Sequence, residues 1–240
     1  MNLPGGLRLV APPVEALPYP SVPRVHLRAI EDALIASWQR FLGNPTLDLS
    51  ALAMAHEDAI TAPLVEEMER MRCDGGGALR CEIFAAVMKS DELFDYAGSS
   101  LWKKPDIIVR FQSPPREVLE PRYYAVFIET KIVDGGSGKP AKLYCTQGVQ
   151  RFISGDYAWK MREGMLCAYV LDGSRLSPML PRVLAVNHLT PLDALTPRPW
   201  PEPSNAEAAH TRHMRSWAYV APNTGSPGPI TLSHLWLRVG

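Results

Sequence analysis

Neither sign of charge prevails in this chain: 25 Lys and Arg stand against 25 Asp and Glu, a formal net charge of zero. A general basic field that would announce nucleic-acid binding is therefore excluded, and any DNA-binding surface has to be local. Long apolar runs are missing as well. None approaches the roughly 18 residues that a membrane span requires, so no membrane partner is expected. Residues 1–10 have no cationic stretch leading into an apolar one, so no secretory leader is expected and the compartment is read as cytoplasmic. Cysteine is scarce. Cys73, Cys81, Cys145 and Cys167 show no C-x-x-C spacing, which reads as reduced thiols rather than a zinc site. There is no Gly-x-x-x-x-Gly-Lys-Ser/Thr loop for ATP phosphates, no Gly-x-Ser-x-Gly elbow and no H-E-x-x-H pair.

What is present is a globular composition, 46% hydrophobic over 240 residues, long enough for one domain with a buried core. Residues 1–27 form a Pro-rich arm, with six prolines before residue 25, and residues 28–240 form a single domain with a core at about 56–172. Apolar residues at helical spacing predict a helix over 26–42, ended by Asn44-Pro45. A second helix is expected over 56–71, either beginning nearer Thr61 or kinked at Pro63. Strands are expected at 79–88, where the length and alanine content also allow a helix, and at 106–111, 123–132, 165–171 and 230–239, with a helix in two pieces over 141–163. Residues 191–204 read as a Pro-rich surface loop, and His210–Arg215 as a solvated loop rather than a phosphate-contacting one. His234 reads as a core or edge histidine. The fold class is α/β (α+β), a mixed central sheet flanked by helices.

The chemistry concentrates at two neighbouring strands. Pro105-Asp106 opens the apolar run Ile107-Ile108-Val109, and a second run from Tyr123 delivers Glu129-Thr130-Lys131. Side chains two apart on a strand share a face, so Glu129 and Lys131 emerge together. With Asp106 on the adjacent strand, two carboxylates, water and a phosphate oxygen make an all-oxygen set suited to Mg²⁺, with Mn²⁺ able to substitute. The Thr130 backbone carbonyl is a further candidate ligand, and Lys131 is placed to orient water or touch the scissile phosphate. Lys103-Lys104 and the set Lys139, Lys142 and Arg151 are the local cationic clusters, with Trp102 as a minor base-stacking candidate.

This acid, then acid-x-lysine order resembles the signature of PD-(D/E)xK nucleases, the restriction-endonuclease-like superfamily, over about half the chain. The resemblance implies a restriction-endonuclease-like core and a metal-dependent DNA endonuclease, with Asp106, Glu129 and Lys131 as its catalytic triplet. In that superfamily a preceding helix often adds a glutamate to the metal site: Glu57 matches it, with Glu82 as the other candidate. The following helix commonly presents Gln, Tyr or Arg to the substrate backbone, which implies Tyr144, Gln147 and Arg151 as substrate-binding residues, with Gln150 beside them. The stretch 148–157 has the look of helices in bacterial defence-associated members. A chain without a DNA-reading module suggests low sequence specificity or targeting by a partner protein through the Pro-rich segments, and a homodimer is the default assembly. The alternative is a catalytically inactive nuclease-fold subunit acting as a nucleic-acid-binding or assembly module.

Overall fold

The computed structural model describes residues 15–75, 77–90, 104–198, 205–221 and 223–239. Seven strands form one mixed sheet: β1 (Phe84–Lys89), β2 (Ile107–Phe111), β3 (Ala125–Val133), β4 (Glu163–Val170), β5 (Thr196–Arg198), β6 (Ala206–Met214) and β7 (Pro229–Arg238), in the order β1-β2-β3-β4-β7-β6-β5. The β3–β4 and β4–β7 pairs are parallel and the outer pairs antiparallel. Every residue of β3 is buried, the signature of a central strand covered on both faces. A Glu-Thr-Lys triplet inside such a strand is costly unless its charges are paired.

One face of the sheet is covered by α1 (Arg24–Leu42) and α3 (Asp58–Asp74), the latter preceded by the short α2 (Leu49–Met54). Helix α1 buries Ile30, Ala33, Leu34 and Trp38, positions three and four apart on one stripe. Trp38 stacks on Tyr169 of β4 at 5.6 Å between ring centres. Helix α3 starts at Asp58 with Pro63 inside it and ends where Gly75 takes φ 67°, a left-handed conformation that glycine adopts without penalty. The opposite face carries α4 (Ala141–Tyr144), a π turn over Cys145–Val149, α5 (Gln150–Ile153) and α6 (Leu176–Val186).

Several expectations are revised. The strand expected at 79–88 narrows to Phe84–Lys89, because residues 81–83 form a turn. Within the stretch expected as an arm, α1 already begins at Arg24, and Tyr19 and Val22 are buried in the core. Tyr19 is clamped there by its N–H to the Lys160 carbonyl at 2.7 Å. The expected solvated loop at His210–Arg215 is mostly strand β6, with His213 and Arg215 buried. Part of the Pro-rich 191–204 stretch forms the edge strand β5. Trp102, Lys103 and much of the Pro-rich arm lie outside the described residues.

Candidate functional site

Where β2 begins, the sheet loses one row of backbone partners and the charged residues take over. The last antiparallel pair is Ile107 with Ile128, so Asp106 falls one step beyond it, at the level of Glu129. Its Oδ2 accepts from the Thr130 N–H at 2.7 Å and from Thr130 Oγ1 at 2.9 Å. The carboxylate thus caps a strand N–H that no neighbouring strand reaches. Thr130 projects to the α3 face, where its hydroxyl meets Thr61 Oγ1 at 3.0 Å, and Thr61 meets the Tyr169 hydroxyl at 3.1 Å.

Glu129 and Lys131 share the other face. Glu129 is fully buried. Its Oε1 accepts from Lys131 Nζ at 2.8 Å and from Arg151 Nη1 at 2.8 Å, while its buried Oε2 has no hydrogen-bond partner among the described residues. Burial first, then the Asp106 charge, pushes the Glu129 carboxyl up to about 7, against the pull of Lys131 and Arg151. Lys131 also donates to the Thr130 carbonyl at 2.8 Å, so the backbone oxygen expected as a ligand is engaged by the lysine. Arg151 remains about a third exposed and gives the site its opening to solvent.

Arg151 reaches Glu129 because the helix above β3 can come close. Gly148, in the π turn, lies over the strand: a Cβ there would meet Leu166 Cδ2 at 2.9 Å and Glu129 Cγ at 3.9 Å. Tyr157 completes the brace. Its hydroxyl accepts from Arg151 Nη1 at 2.7 Å and donates to the Lys104 carbonyl at 2.8 Å. From the sequence Tyr157 is expected only as the end of the 148–157 stretch, with no role at the site.

Tyr144 does not face substrate: it is buried, its hydroxyl is bonded to His234 Nδ1 at 2.8 Å, and its ring lies edge-on to Trp236. The π turn widens the helix by a residue, so Gln147, expected on the same face as Tyr144, is exposed instead. Glu57 precedes the first residue of α3 and its carboxylate lies 3.8 Å from His56. Glu82 is exposed beside Arg80, at the Phe84–Phe111 end of the β1–β2 pair, roughly 15 Å along the strands from Asp106. Among the described residues no three His, Cys, Asp or Glu side chains converge into a metal cage. His234 is a satisfied core histidine, its Nε2 meeting Thr211 Oγ1 at 2.6 Å.

Asp106 and Glu129 match in number and kind the one or two protein carboxylates that Mg²⁺ uses together with waters and substrate phosphates. The unpartnered Glu129 Oε2 is the atom that would accept such an ion. No helix among the described residues is long and apolar enough to cross a membrane. Set against family models, curated proteins and solved structures, the chain matches none.

Proposed function

We propose that the protein is a metal-dependent DNA endonuclease of restriction-endonuclease-like type, hydrolysing phosphodiester bonds at the cluster of Asp106, Glu129, Lys131 and Arg151. One observation carries the reading. A fully buried glutamate with a carboxyl near 7 and an unpartnered oxygen sits between a lysine and an arginine. Perturbed carboxylates of this kind cluster at functional sites. Asp106 and Glu129 would hold Mg²⁺ or Mn²⁺, which when bound lowers the pKa of water and offsets phosphate charge. Lys131 holds Glu129 in place through Oε1 and would present an ammonium to a phosphate oxygen beside a metal held on Oε2. Arg151, braced by Tyr157, supplies a planar donor set suited to a phosphate oxygen.

The second reading, an inactive nuclease-fold subunit, draws on a different observation: Asp106 Oδ2 already serves Thr130 as a strand-end cap, a purely structural use. The two readings part in a cleavage assay. Plasmid, linear duplex and single-stranded DNA are incubated with Mg²⁺, Mn²⁺ or EDTA, alongside Asp106→Asn and Glu129→Gln. EDTA-sensitive cleavage lost in both variants supports the nuclease. Metal-independent cleavage, or cleavage unaffected by both substitutions, overturns it. DNA binding without cleavage under every metal condition favours the inactive subunit.

A further inference from the structure

Helix α6 is apolar on two sides. Leu176, Leu180 and Leu184 face the core and are almost fully buried. Met179, Val183 and Val186 form a second stripe at i, i+4 and i+7, and Val186 is 78% exposed. With Ala141 and the loops after β3 and β4, this stripe lines a groove of about 350 Å³. The groove lies beyond the carboxyl ends of two parallel strands, where open sheets leave crevices. Met179 and Val183 are partly buried against the core, so Val186 is the fully exposed end of the stripe, set at the edge of an otherwise apolar groove wall.

The rim carries two exposed cations and one acid. Lys142 and Arg182 line the groove, are exposed, and form no ion pair among the described residues. Asp172, the one acid in the lining, ties the loops after β3 and β4 together, its two oxygens accepting the Gly135 and Ser174 N–H groups at 2.9 Å each, which leaves Lys142 and Arg182 as the rim charges without a partner among the described residues. An apolar floor lacks the polar donors a nucleic-acid backbone needs, whereas an apolar segment carrying carboxylates satisfies floor and rim together.

We propose that this groove docks an acidic segment of a partner protein that presents apolar anchors at helical spacing along α6, with its carboxylates on Lys142 and Arg182. The groove does not depend on the nuclease cluster, so the two proposals fail separately.

The test selects from a displayed library of random peptides of about 12 residues, enough for three helical turns, on the full chain, and measures the enriched peptides by fluorescence anisotropy. The expected peptides combine Asp or Glu with Leu, Ile, Val, Met or Phe three and four apart. Their affinity should fall about tenfold on Val186→Glu and on Arg182→Glu, and weaken as NaCl rises from about 0.05 to about 0.5 M. A peptide with Lys in place of its acids should prefer Arg182→Glu over the wild type. Val186 is exposed, so its variant retains the fold, as circular dichroism would verify. Failure to enrich any peptide, enrichment of basic or purely polar ones, or binding indifferent to both substitutions would overturn the proposal. So would self-association that Val186→Glu abolishes, since the occupant would then be a second copy of the chain.

Discussion

Asp106 and Lys131 both touch the backbone of Thr130, yet their removal should read out differently. Asp106 Oδ2 holds the Thr130 N–H and hydroxyl, hydrogen bonds to a charged acceptor that are worth about 1.5–3 kcal/mol. Asp106→Ala should therefore lower the melting temperature in EDTA, whereas Asp106→Asn retains an acceptor and should stay close to wild type. Both should lose metal-dependent cleavage, because neither leaves a second carboxylate. Lys131→Ala removes one of two cations on Glu129 Oε1 and leaves Arg151 there. Folding should be nearly intact, while cleavage should fall roughly a hundredfold, the scale of losing one electrostatic stabiliser of a transition state. Melting curves in EDTA, paired with single-turnover cleavage, separate the three variants. A stable and fully active Asp106→Ala would sink the assignment of Asp106.

At the scale of elements, the π turn decides how near Arg151 comes to Glu129. Gly148→Ala would drive a methyl into Leu166 Cδ2 at 2.9 Å, and Leu166 is fully buried and cannot swing clear. The helix must then lift from β3 and β4, at a cost of about 1–3 kcal/mol, and Arg151 retreats with it. Cleavage should drop, and Leu166→Ala in the same chain should restore part of it by making room; a Gly148→Ala protein with unchanged melting and rate would refute the close approach. This turn also marks where the sequence stops being legible. Strands β2, β3 and β4 and helices α1 and α3 follow apolar runs and stripes that the residues display openly. The acid and acid-x-lysine positions were legible too, being local to two strands. Gln147 did not fall on the face expected for it because a 3.6-residue period cannot foresee an inserted π residue. Pro178 and Pro181 hid α6, although its first turn tolerates one proline and the helix absorbs the other. Strand β6 alternates through alanine, threonine and histidine rather than through large apolar residues, so its buried side carries little hydropathy signal. The hold of Tyr157 on Arg151 and Lys104 is tertiary, and no spacing encodes it.

Over the whole molecule, two opposed sets of buried groups contribute to how stability changes with pH. Glu31, fully buried and ion-paired with Arg198, and Glu129 are each pushed up to about 7 from an ordinary 4.5, chiefly by burial. Between those values the folded protein holds protons that the unfolded chain has released, so each glutamate costs stability as pH rises from 4.5 to 7. His213, pushed down to about 4 by burial, and His234, held well below the usual imidazole range, act the other way. The unfolded chain takes up their protons first, so they cost stability as pH falls below 6.5. The two sets oppose each other between pH 4.5 and 6.5, so wild-type melting there reports only their difference. Differences isolate a single group. In EDTA, the stability of Glu129→Gln relative to wild type should rise by about 3 kcal/mol between pH 4.5 and 7, since each tenfold change in proton affinity is worth about 1.4 kcal/mol. Glu31→Gln should show a similar rise. Saturating Mg²⁺ should then tell the two apart. An ion on Glu129 Oε2 displaces its proton and stabilises the folded wild type, so the rise for Glu129→Gln should shrink or reverse while that for Glu31→Gln stays. Denaturant melts at several pH values, with and without Mg²⁺, make the measurement. An unchanged Glu129→Gln difference on adding Mg²⁺ or Mn²⁺ would mean that the buried glutamate between Lys131 and Arg151 holds no metal.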